Sequence, residues 1–191
     1  MLAEPIKSMS KKLLSDEYVK LFNKCEIDSD KIDELNIIVK KIIEYRKTYE
    51  KVKIIPWWLV GILHYERLSF DFTKHLHNGD SLLNRTVNSP KNRPEKGKPP
   101  YSWFDSAKDA ISLKIKFIPK DRKWTISDVL YFLESYEENF KTRIHKRMYS
   151  SSLWSNTNIR TDNTDKIGAA AILKALLKNK IIELSEDRST K

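Results

Sequence analysis

Apolar residues return every three to four positions along most of the chain, and the stretches where that rhythm is lost separate one predicted element from the next. Leu14, Tyr18, Leu21 and Phe22 predict a helix over residues 10–25. Residues 27–30 break it, with Asp28 or Ser29 as caps for a longer helix over 31–49. The inward positions of that helix are Ile32, Leu35, Val39, Ile42, Ile43 and Tyr49, and lysines and glutamates fill the solvated side. Pro56, with its fixed φ and no N–H, suits the first turn of a third helix. That helix places Leu59, Ile62, Leu63, Glu66 and Phe70 on or near one face. The pattern fades after Asp71, and Asn78-Gly79-Asp80 is a turn signal.

Beyond the turn, residues 104–116 predict a helix packed through Ala107, Ala110 and Ile111, with Asp105 and Asp109 complementing its dipole. A short extended piece is expected around Phe117-Ile118-Pro119. Thr125 or Ser127 caps a helix carrying Val129, Leu130, Leu133 and Tyr136 and ending at residues 137–139. A last helix is expected over 164–180, capped by Thr164 or Asp165, with Gly168, Ala169, Ala170 and Ala171 as a small-residue face. Residues 87–101 hold four of the seven prolines and read as a long functional loop; residues 141–163 are irregular and polar. The organisation expected is a helical brace over 1–50, or alternatively a small export adaptor, followed by a main domain over 51–184 and a frayed tail over 185–191. With 191 residues, 4 glycines and 7 prolines, one mainly α-helical domain is favoured over a turn-rich barrel or sandwich.

Composition narrows the picture modestly. The net charge of +10 points to an anionic partner or surface, which admits nucleic acid, acidic membrane and cell-wall polymer alike. Cys25 is the only cysteine, so neither an internal disulfide nor a cysteine-ligated cluster can form, and a small buried thiol is expected. No apolar run is long enough for a signal peptide or a membrane span.

The densest chemistry lies in residues 64–86. A carboxylate at the rim of an apolar helix loses hydration, which favours its protonated form, and a proton-holding Glu66 is a candidate general acid. Set against this is the plain reading that Glu66 is a solvated helix residue and Asp80 merely shapes a turn. Tyr101 and Trp103, just after the proline loop, are candidates to stack on sugar rings, although either could be core. His64, His75 and His77 read better as hydrogen-bonding groups than as metal ligands, and no metal or cofactor is expected.

The string His64-Tyr65-Glu66-Arg67-Leu68-Ser69-Phe70-Asp71-Phe72-Thr73-Lys74-His75-Leu76-His77-Asn78-Gly79-Asp80-Ser81-Leu82 is followed by Asn84-Arg85-Thr86 and by Gly97-Lys98-Pro99-Pro100-Tyr101-Ser102-Trp103. Together these resemble a bacterial and phage lysozyme-like family whose pattern runs H-x-x-E, then T-H-L-H-N-G-D-P-L, R-T and G-x-P-P-F-x-W. The resemblance covers about residues 52 to 175 and extends to Ser152–Asn158 and Gly168-Ala169-Ala170. Lys74 stands where the family usually has threonine, Ser81 replaces its proline, and Arg67 and Leu68 replace small residues.

The resemblance implies an α+β lysozyme-like fold with a small hairpin or irregular lobe over 71–100 beside the cleft. It also implies a peptidoglycan hydrolase that cuts between N-acetylmuramic acid and N-acetylglucosamine. Glu66 would be the acid, Asp80 would orient water or stabilise the oxocarbenium-like transition state, and Thr86 would position that water. His64, His75, His77, Asn78, Arg85, Tyr101, Trp103, Trp154 and Asn156 would bind the glycan, the last two from across the cleft. Such an enzyme, made in the cytoplasm, would reach the wall by lysis, a holin-like pore or dedicated secretion, and an immunity protein is a conceivable partner. The competing readings are a lytic transglycosylase, a non-catalytic peptidoglycan binder and, less in keeping with lysines spread along every helix, a nucleic-acid-binding module.

Overall fold

A computed structural model describes residues 4–121, 123–137, 140, 151–159 and 164–187, with side chains from residue 14 onward. It is mainly helical: α1 (Glu4–Lys24), α2 (Ile32–Glu44), α3 (Arg46–Tyr49), α4 (Trp57–Leu68), α5 (Trp103–Ser112), α6 (Ile126–Glu134), α7 (Ser151–Trp154) and α8 (Ala169–Lys178). Extended pairing among the described residues is limited to isolated bridges, Ile27 with Thr157 and Lys74 with Ser81. The chain divides into two compact units, Met1–Ile37 with Phe117–Lys191, and Ile38–Lys116. The division falls inside α2 rather than at residue 50, and it groups the N-terminal helix with the C-terminal segment.

In the first unit, α1 packs on α6, and α6 also meets α7 and α8. Leu14, Tyr18 and Phe22 are buried on α1, as the spacing predicts. The orphan carbonyls at the end of α1 accept from the Lys174 ammonium, at 3.1 Å for Phe22 and 3.2 Å for Asn23, with Cys25 O as a third acceptor. Cys25 itself is buried, which raises its thiol pKa.

Thr125 caps α6, its hydroxyl accepting from Asp128 N at 3.2 Å. Asp187 adds a carboxylate at the same helix start, accepting from Ile126 N and Ser127 N at 3.2 Å each. Residues 185–187 are therefore tied down where the sequence suggested fraying, and Ser185 N also donates to Trp124 O at 2.9 Å. The segment around Phe117 forms a 3-10 turn, Ile115–Phe117, in place of an extended piece. The last helix starts at Ala169, later than expected, because residues 164–168 wrap around Ser155: its hydroxyl accepts from Thr164 N at 2.8 Å and its carbonyl from Gly168 N at 3.0 Å. The irregular stretch expected over 141–163 falls largely outside the described residues, and α6 ends at Glu134, short of the end expected at 137–139.

In the second unit, the face of α2 that is covered runs through Ile38, Val39 and Ile42. Ile43 is 41% exposed, because one residue past Ile42 turns it about 100° off that face. Ile32, in the first turn of the same helix, is 45% exposed. The long helix predicted over 31–49 is interrupted at Tyr45 (φ −85°, ψ 6°), and α3 then turns to pack on α4. Gly61 permits this approach: a Cβ there would lie 2.7 Å from Ile42 Cγ2 and 3.0 Å from Tyr49 Cε2.

Helix α4 is enclosed almost all round, which its nearly unbroken apolar run explains. It ends where Ser69 (φ 50°) and Phe70 (φ 68°) take left-handed conformations that cost non-glycine residues roughly 1–2 kcal/mol each. The Phe70 ring packs on Tyr65 and Tyr45, with centroids 5.4 and 6.0 Å apart, which holds the turn in place. No helix among the described residues is long and apolar enough to cross a membrane.

Candidate active site

Glu66 lies in the last turn of α4, partly buried, with Oε1 closed off from water. The loop that follows is held against this turn. The Arg67 guanidinium donates to His77 O at 3.3 Å, and a Cβ at Gly79 would lie 3.7 Å from Leu68 Cδ2. Gly79 has φ +86°, a conformation that explains the glycine.

Asp80 is the hub of the loop. Its Oδ2 accepts from Val87 N (2.8 Å), Asn88 N (2.9 Å) and the Asn78 amide (3.0 Å), while Oδ1 accepts from the Asn88 amide (2.7 Å). These donors, the Asn88 backbone N–H first among them, hold its carboxyl below the usual range. Asn78 is committed as fully: its Oδ1 accepts from Asp80 N at 3.0 Å, and its amide also donates to Asn88 O at 2.9 Å. Thr86 is buried, donating to Pro90 O (2.5 Å) and accepting from Arg93 N (2.9 Å). Its hydroxyl is buried and its one proton is given to Pro90 O, so the water-positioning role the resemblance implied for it is not available in this arrangement.

Arg85 organises the proline loop instead of facing outward. It donates to Asn92 O (3.3 Å), Gly97 O (3.2 Å) and Pro94 O, and its guanidinium lies 5.9 Å from the Tyr101 ring centroid. Tyr101 is 7% exposed and Trp103 6%, so neither ring offers a face to a sugar. Tyr101 packs on His75, with centroids 5.6 Å apart, and Trp103 on His64 at 4.4 Å and Phe72 at 5.0 Å.

His64 sits inside this aromatic cluster, fully buried, with Nδ1 3.0 Å from the Tyr49 hydroxyl. Its Nε2 is buried without a hydrogen-bond partner of normal geometry. Burial lowers its pKa to about 4, so the imidazole is neutral near pH 7, and the same burial raises the Tyr49 phenol.

Trp154 and Asn156 belong to the other unit. Trp154 is fully buried, and the Asn156 amide donates to Thr164 O and Lys166 O at 2.8 Å each. Asn156 has φ 55°, and its carbonyl accepts from Asp28 N at 3.1 Å. Both are framework residues, whereas the resemblance implied a cleft wall.

Sequence reasoning missed a buried chain that joins the loop to α5. His75 Nε2 meets Asn84 O at 2.8 Å, and His75 Nδ1 meets Ser106 Oγ at 2.8 Å. Ser106 Oγ lies 3.5 Å from His77 Nδ1, and His77 Nε2 meets Asp109 Oδ2 at 2.8 Å. The sequence pattern assigns Asp109 only to the helix dipole. Its spacing from Ser106, three residues on one helix face, was the available signal. Asp105, the other carboxylate on α5, pairs with Ser102: the Ser102 hydroxyl accepts from Asp105 N at 3.1 Å and donates to Asp105 Oδ2 at 2.7 Å.

Among the described residues, no group of three or more His, Cys, Asp or Glu side chains is placed to hold a metal ion. Comparison of the chain with family models, curated proteins and solved structures gives no match.

Proposed function

We propose that the second unit carries a glycan-cleaving site for peptidoglycan, of lysozyme-like α+β type, with Glu66 as the general acid. The observation that carries this reading is the setting of Glu66. It is a carboxyl with one oxygen closed off from water, on an enclosed apolar helix, beside a loop whose own polar groups are almost all committed to one another. A general acid needs a carboxyl shielded from bulk water and held in one place. The net charge of +10 suits an anionic wall. In the proposed reaction Glu66 gives its proton to the glycosidic oxygen, the bond to the anomeric carbon breaks, and positive charge develops on the sugar ring.

The fate of that charge separates two readings. A muramidase adds water. A lytic transglycosylase lets the muramic acid C6 hydroxyl attack, its proton passing back to the Glu66 carboxylate, giving a 1,6-anhydro end and needing no residue to activate water. The second is favoured by the engagement of Asp80 with four donors of its own loop and by the burial of Thr86. Digestion of purified peptidoglycan followed by borohydride reduction and mass spectrometry tests both. Reducible muramic ends identify the hydrolase and anhydro ends the transglycosylase, while intact glycan refutes cleavage altogether.

A further inference from the structure

The chain Asn84–His75–Ser106–His77–Asp109 has a hydrogen-bond acceptor at each end, and this fixes where its protons sit. The Asn84 carbonyl only accepts, so His75 carries its proton on Nε2 and its Nδ1 is bare. That nitrogen accepts a hydrogen bond from the Ser106 hydroxyl at 2.8 Å. At the other end the Asp109 carboxylate accepts from His77 Nε2 at 2.8 Å. With both imidazoles neutral, three protons serve four links. The link left empty is Ser106 to His77 Nδ1, where two lone pairs face each other, and it is the long one, at 3.5 Å against 2.8 Å for the other three. His75 and Ser106 are fully buried and His77 nearly so, so water does not make up the missing bond.

We propose that Asp109 is a positioning residue that, through His77 and Ser106, holds the 75–84 loop on α5 in one tautomeric state, and that the open Ser106–His77 link is where the folded protein takes up one proton. Filling it makes His77 an imidazolium that donates to both Ser106 Oγ and Asp109, and His75 is left as it was. The charged groups facing His77 are Asp109 on α5, which favours uptake, and Arg93 of the proline loop, 3.6 Å from Asp109 Oδ1, which opposes it together with His75. Arg67 of α4 lies on the far side, donating to the His77 carbonyl. Burial is the largest influence and keeps His77 below the ordinary histidine range. The tautomer assignment stands on geometry alone, whereas the consequence for catalysis rests on the glycan-cleaving reading, because the loop so held is the one packed against the Glu66 turn.

Long-range ¹H–¹⁵N NMR of the full labelled chain reads the tautomers directly and needs no variant. At pH 7.5 both His75 and His77 are expected as Nε2–H forms, and on acidification His77 is expected to gain its second proton on Nδ1. A proton on His77 Nδ1 or on His75 Nδ1 at pH 7.5 overturns the proposal. Asp109→Asn, checked for folding by circular dichroism, is expected to move the His77 midpoint down by roughly one pH unit or more, and an unmoved midpoint also overturns it. If wild type cleaves peptidoglycan, Asp109→Asn lowers kcat with KM little changed. If wild type does not cleave, the function reading fails while the tautomer pattern is still decided by the spectra.

Discussion

His64 shows how a residue read as a ligand for sugar becomes a framework group once its surroundings are known. Packed among Tyr49, Phe72 and Trp103, it is held neutral, with its pKa lowered to about 4 by burial. In the unfolded chain it titrates near the ordinary value of about 6.5. Above that value neither state binds the proton and stability is unaffected. As pH falls from about 6.5 to 4, the unfolded state binds a proton that the folded state refuses, and stability is lost over that window. Urea titrations between pH 7.5 and 4 are expected to show this loss, and His64→Phe should flatten the slope even as it lowers stability through the stranded Tyr49 hydroxyl. The residue scale also separates what a sequence discloses from what it hides. Glu66 is visible because an acidic residue interrupts an apolar run. The commitment of Asp80, Arg85 and Thr86 to loop carbonyls and amides is invisible, because hydrogen-bond partners in an irregular loop follow no period.

At the scale of elements, helices were legible wherever one face was covered and the other solvated. The reading failed at breaks: Tyr45 ends α2 with no proline or glycine to announce it, and α8 starts late because Ser155 captures residues 164–168. His75 with His77, and Ser106 with Asp109, each show a regular spacing, yet nothing in either spacing says that the two pairs meet. The close approaches give a graded test. At Gly61 a Cβ meets side-chain atoms, Ile42 Cγ2 at 2.7 Å and the Tyr49 ring at 3.0 Å, which must shift by a few tenths of an ångström, so Gly61→Ala is expected to cost about 1–3 kcal/mol. At Gly168 it meets backbone, 2.6 Å from Ser155 N and 2.7 Å from Leu153 O, so Gly168→Ala is expected to cost more, as shown by a larger drop in urea midpoint. Arg85 is the corresponding test for the proline loop. Arg85→Ala removes the donor shared by three carbonyls and is expected to cost about 1–3 kcal/mol and to speed proteolysis within residues 87–98, with the two compact units otherwise intact.

For the whole molecule, the division into two units puts Glu66, the histidines, the Asp80 loop and the proline loop in a single unit, Ile38–Lys116, while Trp154 and Asn156 stabilise the other. The proposed chemistry therefore rests on one carboxyl, with the residues around it as scaffold. That claim is tested most directly by digesting purified peptidoglycan with wild type and with Glu66→Gln, a change that keeps the side chain's shape and removes its acid. Wild type is expected to release soluble muropeptides with newly formed muramic ends, and Glu66→Gln to lose roughly 10²–10⁴ in rate at unchanged thermal stability. Cleavage by Glu66→Gln at the wild-type rate, or no cleavage by either protein, would contradict it.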